Sequence, residues 1–354
     1  MGKRTVLHRS WRRLVIALLA LIAPLWVQSA SAHGVTLRIQ HALPEDSTFH
    51  TQFLVPWAEK VEKESGGRLR MHLYPAMQVG GDPSQLYDQV KEGTADIVWT
   101  GMGYSPDRFP ALDVFELPFM ATARAGSSQA LWEYVRLSDR AQTELDGVRL
   151  LAIHQHEAPQ LHMRAKPVAT LEDLRGLKIA TSAAVGHKLL ASLGASPMQV
   201  SGAELSAALS SGAVEGALLP WESVPAVQEL LKYHSETDPK SPWLYSNVFV
   251  LAMNSAAYKS LSEDLRKVID ANSGLETAAW LGRVFRASAD DARKQAVARG
   301  DAFNVLPADE LERWHKAAQA VVDDWMKDLS RVGLNGKLIL EAAREARAEY
   351  DSVK

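Results

Sequence analysis

The sequence contains no cysteine. That excludes disulfides, thiolate metal sites and cysteine nucleophiles. It also lacks an excess of either charge: 39 Lys and Arg against 42 Asp and Glu give a formal net charge of -3, with no long run of like charges. Without a basic patch there is no electrostatic footprint for nucleic acid. Catalytic signatures are missing as well: no G-x-S-x-G, no H-E-x-x-H, no G-x-x-x-x-G-K-[ST], and Gly101-Met102-Gly103 lacks the third glycine of a dinucleotide loop. Beyond the first 32 residues no apolar run approaches the ~18 residues of a membrane span.

The 354 residues, 47% of them hydrophobic, suffice for two ordinary domains with a sizeable core. The start reads as a separate object. Lys3, Arg4, Arg9, Arg12 and Arg13 precede an apolar run at 14–27 and the small residues Ala30-Ser31-Ala32, the pattern of a cleavable secretory signal with cleavage expected after Ala32. The mature chain is then expected outside the cytoplasmic membrane, in the periplasm, stabilised by its core alone.

Residues 35–41 alternate apolar and polar and predict a strand, followed by a helix from Ser47 through Trp57 and Val61 to Gly66-Gly67, and a second strand at 68–74 stopped by Pro75. This β-α-β unit builds parallel sheet. Asp82-Pro83 starts a further helix ending at Gly93, and the strand 95–100 delivers Gly101-Met102-Gly103-Tyr104 at its carboxyl end, where open α/β sheets bind ligands. The run 109–119 reads as a packed extended loop, 131–145 as one helix and 149–154 as a strand.

A second β-α-β pattern follows a crossing near 154–160: strands at 177–180, 198–200 and 213–219, with helices at about 185–193 and 203–210. The alternating stretch 245–254 returns the chain to the first sheet. From 262 to 299 helical periodicity continues, either as one helix spanning two lobes or with a break near Asn272-Ser273-Gly274, and 309–329 and 338–350 read as terminal helices. The fold class is α/β in two similar lobes, each a mixed, mostly parallel sheet flanked by helices.

Several segments together resemble the extracytoplasmic solute-binding proteins of TRAP transporters, dicarboxylate-binding type. They are HALPEDSTFH at 41–50, ESGGRLRMHLYPAMQVGGDPSQLYDQVKEGTADIVW at 64–99, FPALDVFELPF at 109–119, LEDLRGLKIA at 171–180 and SGAVEGALLP at 211–220, followed by Met253-Asn254 and the start of the 262–299 helix. The resemblance implies a periplasmic-binding-protein fold with a signal peptide at 1–32, lobe I at 33–155 plus about 246–285, and lobe II at 156–245 plus about 286–354. It implies a cleft between the lobes, a long helix bracing both, and capture of a small organic acid by hinge closure for delivery to the transporter's membrane components. No cofactor, metal, nucleic acid or catalytic residue is implied. A sensor subunit for a signalling receptor and a periplasmic hydrolase are the other readings.

At the end of the 177–180 strand the family usually carries an arginine that pairs with the ligand carboxylate; here the position is Ala180. Three further positions where the resemblance leads one to expect charge or polarity are Gln160, Leu219 and Gly101. What stands nearby is Trp99, Met102, Tyr104, Leu219 and Trp221, which suits a larger, more aromatic acid held by stacking and a few hydrogen bonds. Arg164 is the candidate replacement for the missing clamp, or a solvated strand residue. His154 and His156 share a strand face at the crossing and read as a ligand hydrogen bond, a metal site or packing between lobes. His41 lines the cleft or holds a turn.

Overall fold

The computed structural model describes residues 34–105, 108–121 and 126–351. The expected signal peptide and its cleavage point lie outside them. Eleven strands are described: β1 (Val35–His41), β2 (Leu69–Tyr74), β3 (Ile97–Gly101), β4 (Val148–Gln155), β5 (Gln160–Met163), β6 (Lys178–Thr181), β7 (Ser196–Gln199), β8 (Gly216–Leu219), β9 (Tyr233–Glu236), β10 (Val248–Asn254) and β11 (Ala302–Val305). They form two sheets, ordered β2-β1-β3-β10-β4 and β11-β9-β5-β8-β6-β7.

Each sheet is parallel except for one strand. In the first it is β10, antiparallel to β3 and β4; in the second it is β5, antiparallel to β8 and β9. Each odd strand is the first strand the chain makes after crossing between the lobes.

The two halves also share a detail of construction. The helices before β3 and β8 end on Gly93 and Gly212, both left-handed with φ 84° and 75°, a conformation that costs glycine nothing. Three residues after each comes an acid, Asp96 or Glu215. Its carboxylate accepts the backbone N–H of Arg38 at 2.8 Å or Lys178 at 2.9 Å on the neighbouring strand. The same acid's N–H donates to that residue's carbonyl, at 3.0 and 2.8 Å. A short acidic side chain at this point satisfies a strand-edge donor and fixes register.

Two expected helices are divided for local reasons. The stretch from Ser47 begins as a wide π-turn, Phe49–Leu54, before the α-helix Val55–Glu64. Pro56 lacks the N–H that a regular turn would use there. The 131–145 helix is two, Ser127–Leu137 and Asp139–Glu144, because Ser138 is extended and its side chain caps the second helix at Ala141 N, 3.2 Å away. The loop 109–119 also contains a short 3-10 turn, Asp113–Glu116.

The 262–299 region breaks at the expected tripeptide. Glu263–Ala271 ends at Asn272, whose carbonyl accepts from Trp57 Nε1 at 2.8 Å, and Gly274 turns at φ 89° with its N–H on Leu151 O at 2.7 Å. Leu275–Arg299 then runs unbroken for 25 residues. Its first half packs Leu281 and Phe285 into the first lobe's core, and its second half packs Ala289, Ala292 and Ala296 against Trp221 and Val224 of the second. One rigid helix therefore joins the lobes.

The helix Ala308–Arg331 repeats this, with Leu311, Trp314 and Ala318 in the second lobe's core and Trp325 and Leu329 in the first's. Gly336–Asp351 packs Leu340 and Ala343 into the first lobe. The sequence reading grouped it with the second, because an amphipathic stripe says what is buried and not against which lobe. Among the described residues no helix is long and apolar enough to cross a membrane.

Phe285 is 2% exposed and lies at the point where the bridging helix leaves the first lobe. Phe285→Ala is expected to lower stability by about 3–5 kcal/mol, measured by denaturant unfolding. A loss below about 1 kcal/mol would contradict its place as a fixed bracing contact.

Candidate functional site

The carboxyl ends of β1 and β3 in one lobe and of β6 and β8 in the other are where the sequence places a ligand. Three kinds of segment connect the lobes there: the crossing after β4, the return before β10, and the bridging helix. Gln155 Nε2 donates to Phe115 O at 2.8 Å, Gln160 Oε1 accepts from Thr237 N at 3.0 Å, and Trp243 N donates to Ala121 O at 2.8 Å. These bonds tie the crossings to each other and to the lobes.

On the first lobe's side the aromatics form a column. Trp99 stacks on Phe49 at 4.0 Å and on Phe249 at 4.3 Å; His156 stacks on Phe249 and packs against Phe285, both at 4.1 Å; Tyr104 meets Phe249 edge-on at 5.9 Å. Trp99, 1% exposed, is an inner member of this column, and its Nε1 donates to His154 Nε2 at 2.9 Å. His154 and His156 do share a face, with centroids 5.5 Å apart. Burial drives the His154 pKa well below the usual range and that of His156 down to about 3, so both rings are neutral. Among the described residues no three His, Asp or Glu side chains converge as metal ligands.

Tyr104 is half-buried, and burial, then Glu116, pushes its phenol up to about 12. Met102 is buried in the first lobe's core. His41 is fully buried too, its Nε2 2.9 Å from His50 Nδ1, so it belongs to the interior.

On the second lobe's side, Leu219 is half-buried and its carbonyl accepts from His162 Nε2 at 3.1 Å. Trp221 lies edge-on to His162 at 4.7 Å, and its Nε1 donates to Glu236 Oε1 at 2.8 Å. Arg293 of the bridging helix grips the same carboxylate with two bonds of 2.8 Å. Trp221 is thus an anchor between helix and sheet.

Ala180 is 1% exposed and sits in a cluster with Leu205, Leu209 and Ala217, under the helix Gly202–Ser211. The next residue, Thr181, faces the other way by the period of a strand. Its hydroxyl and the Tyr245 phenol both lie beside Gly186 in the first turn of the helix Ala184–Ser192, which no side chain caps. Arg164 does not reach this end. β5 runs antiparallel, so Gln160 pairs with Leu219 while Arg164 lies about 13 Å farther along, exposed, its backbone N–H on Glu215 O at 3.1 Å and its guanidinium beside Gly212. That strand direction sets Arg164 at the opposite end of β5 from Gln160.

Thus Trp99, Tyr104, His154 and His156 converge from the first lobe, Leu219 and Trp221 approach from the second, and Gln160 lies between them. Met102 lies in the core and Arg164 at the far end of its sheet, while His41 is paired with Trp99 across the β1–β3 ladder and sits beneath the column, edge-on to Phe49 at 5.2 Å. Sequence reasoning missed Phe249, Phe285, Thr181 and Glu222. The alternation of the 245–254 strand offered a signal for Phe249 alone. It also missed Glu116, the lone acid inside 114–119; this buried carboxyl accepts from Val248 N at 2.8 Å, and burial, then Asp113, pushes it up to about 8.

The chain matches, over residues 39–328, the family described as bacterial extracellular solute-binding protein, family 7. It belongs to that family: it is an extracytoplasmic receptor that captures a small organic solute for a TRAP-type transporter. Its fold superposes with a TM-score of 0.85 on a TRAP solute-binding protein from Rhodoferax ferrireducens in complex with copurified benzoate, at 42% identity over 90% of this chain and 99% of that one. A marine metagenome TRAP solute-binding protein specific for aromatic acid ligands, with 3-hydroxybenzoate, gives 0.85 at 37% identity over 90% and 99%. A curated relative from Comamonas testosteroni, described as outer membrane transporter protein TsaT, is 27% identical over 95% of this chain and 98% of its own length.

Arg164→Ala is expected to leave solute affinity within about twofold, since it stands at the far end of the sheet. Gly186→Ala places a Cβ 2.6 Å from Thr181 Oγ1 and 2.8 Å from Tyr245 Oη; about 1–3 kcal/mol of stability is expected to be lost. Titration calorimetry and thermal unfolding check the two. A tenfold affinity loss in the first, or an unchanged second, contradicts these placements.

Proposed function

We propose that the captured solute is an aromatic monocarboxylate of benzoate size, bound between the lobes and released to the membrane components of a TRAP transporter without chemical change. The carrying observation is the ring column Trp99–Phe249–His156–Phe285, edged by Tyr104, at the lobe junction, in a chain with alanine at position 180. Offset and edge-on contact with such rings favours an aromatic ligand. The benzoate and 3-hydroxybenzoate complexes of the two structural neighbours support the same class.

The carboxylate would be met by the Thr181 and Tyr245 hydroxyls and the open first turn of Ala184–Ser192, whose N–H groups and dipole favour an anion. The lobes, built around 33–155 with about 246–285 and around 156–245 with about 286–320, close over it. Contacts from both lobes exist only in the closed form, so binding shifts the population toward it. Residues 1–32 direct export to the periplasm, with cleavage after Ala32.

A thermal-shift panel tests this reading. Benzoate or 3-hydroxybenzoate at about 100 times its Kd is expected to add ~2.7 kcal/mol of stability, with succinate and malate far weaker, and the eight tryptophans beyond residue 32 report the same hits by fluorescence. Tight binding confined to short aliphatic dicarboxylates contradicts it.

A further inference from the structure

At the lobe junction the ring column also meets an acidic side chain of the second lobe. Glu222 lies in the short helix Trp221–Val227, directly after β8, and its neighbours Trp221 and Val224 pack on the second-lobe half of the bridging helix. His156 is held between Phe249 and Phe285 on the first lobe. His156 Nδ1 and Glu222 Oε1 stand 3.3 Å apart. The two partners are therefore anchored to different lobes, and their contact spans the junction.

Both carboxylate oxygens of Glu222 and Nε2 of His156 are fully buried with no hydrogen-bond partner. These atoms have almost no accessible surface, so neither water nor a ligand hydroxyl reaches them. An ionised carboxylate in that position would be an uncompensated buried charge. The other charged groups facing the pair do not relieve it. Glu157, next along the crossing, is 3.3 Å from Arg286 of the bridging helix, and Asp290 one turn on adds further negative charge. Arg293 is committed to Glu236, and His154 to Trp99. Protonating Glu222 removes the buried charge, and His156 Nδ1, 3.3 Å from Oε1, is the polar atom beside it.

We propose that closing the lobes takes up one proton, on Glu222, so that solute affinity falls as the medium becomes more alkaline. This rests on the reading above, that an aromatic acid is bound by closure. Burial pushes the closed-state carboxyl up to about 8, whereas a glutamate freed by opening returns to the ordinary carboxylate range. The extra stabilisation of the closed form is present on the acid side and is lost as pH rises through about 8. Glu157, raised to about 7 by burial, and Glu116, raised to about 8 by burial in the first lobe, titrate close to the same range, so the comparison with Glu222→Gln, and not the choice of pH alone, assigns the effect to Glu222.

Benzoate affinity is measured by titration calorimetry at pH 7, 8 and 9, for the natural protein and for Glu222→Gln. The amide keeps the shape and a donor for Nδ1 but cannot titrate. The natural protein is expected to bind about tenfold more weakly at pH 9 than at pH 7, and to take up close to one proton per benzoate at pH 7 when buffers of different ionisation heat are compared. Glu222→Gln is expected to bind with flat pH dependence and no such uptake. A flat profile in the natural protein, or the same slope in Glu222→Gln, overturns the proposal and leaves the aromatic-acid reading standing. No benzoate binding at any pH overturns that reading and the proposal with it.

Discussion

The bridging helix Leu275–Arg299 is the constraint on which the rest depends. Its first half is committed to the first lobe through Leu281 and Phe285, and its second half to the other through the small residues Ala289, Ala292 and Ala296, which let Trp221 and Val224 approach closely. A helix of 25 residues is about 37 Å long and stiff. Together with the helix Ala308–Arg331 and the two crossings, this rod links the lobes, and His156, Glu157, Glu222 and Arg286 lie around its midpoint. Polar chemistry concentrated at that midpoint is placed where closure is decided.

The duplicated acid after a left-handed glycine, Gly93 with Asp96 and Gly212 with Glu215, shows that the lobes solve the same local problem in the same way. The halves then diverge at the cleft ends of their strands. The first builds a packed aromatic column behind Tyr104, and the second offers hydroxyls and an uncapped helix turn behind Ala180. One wall is suited to a ring and the other to a small anion.

Much of this architecture was legible in the sequence because strand periodicity and glycine punctuation are local signals. Every strand of the two β-α-β halves appears within a few residues of its expected place; of the two readings of 262–299 the break at Asn272-Ser273-Gly274 is the one that occurs, and the span between lobes falls to its second part, Leu275–Arg299. The site was less legible because side-chain partners are non-local. Trp99 could be seen at a strand end, but its burial between Phe49 and Phe249 depends on a residue 150 positions away returning as β10. Arg164 looked close to the cleft because sequence distance carries no strand direction; β5 points it away. Glu222 gave no signal, since only the fold sets it against His156.

The central claim is that an aromatic acid draws the lobes together. The chain has no cysteine, so two engineered ones are unambiguous labels. Spin labels at Glu45→Cys in the first lobe and Met198→Cys in the second, both solvent-exposed positions, report the inter-lobe distance by pulsed electron resonance. The account predicts a broad or longer distance without solute that narrows and shortens with saturating benzoate. A distribution unchanged by benzoate, under conditions where calorimetry shows it bound, would contradict it.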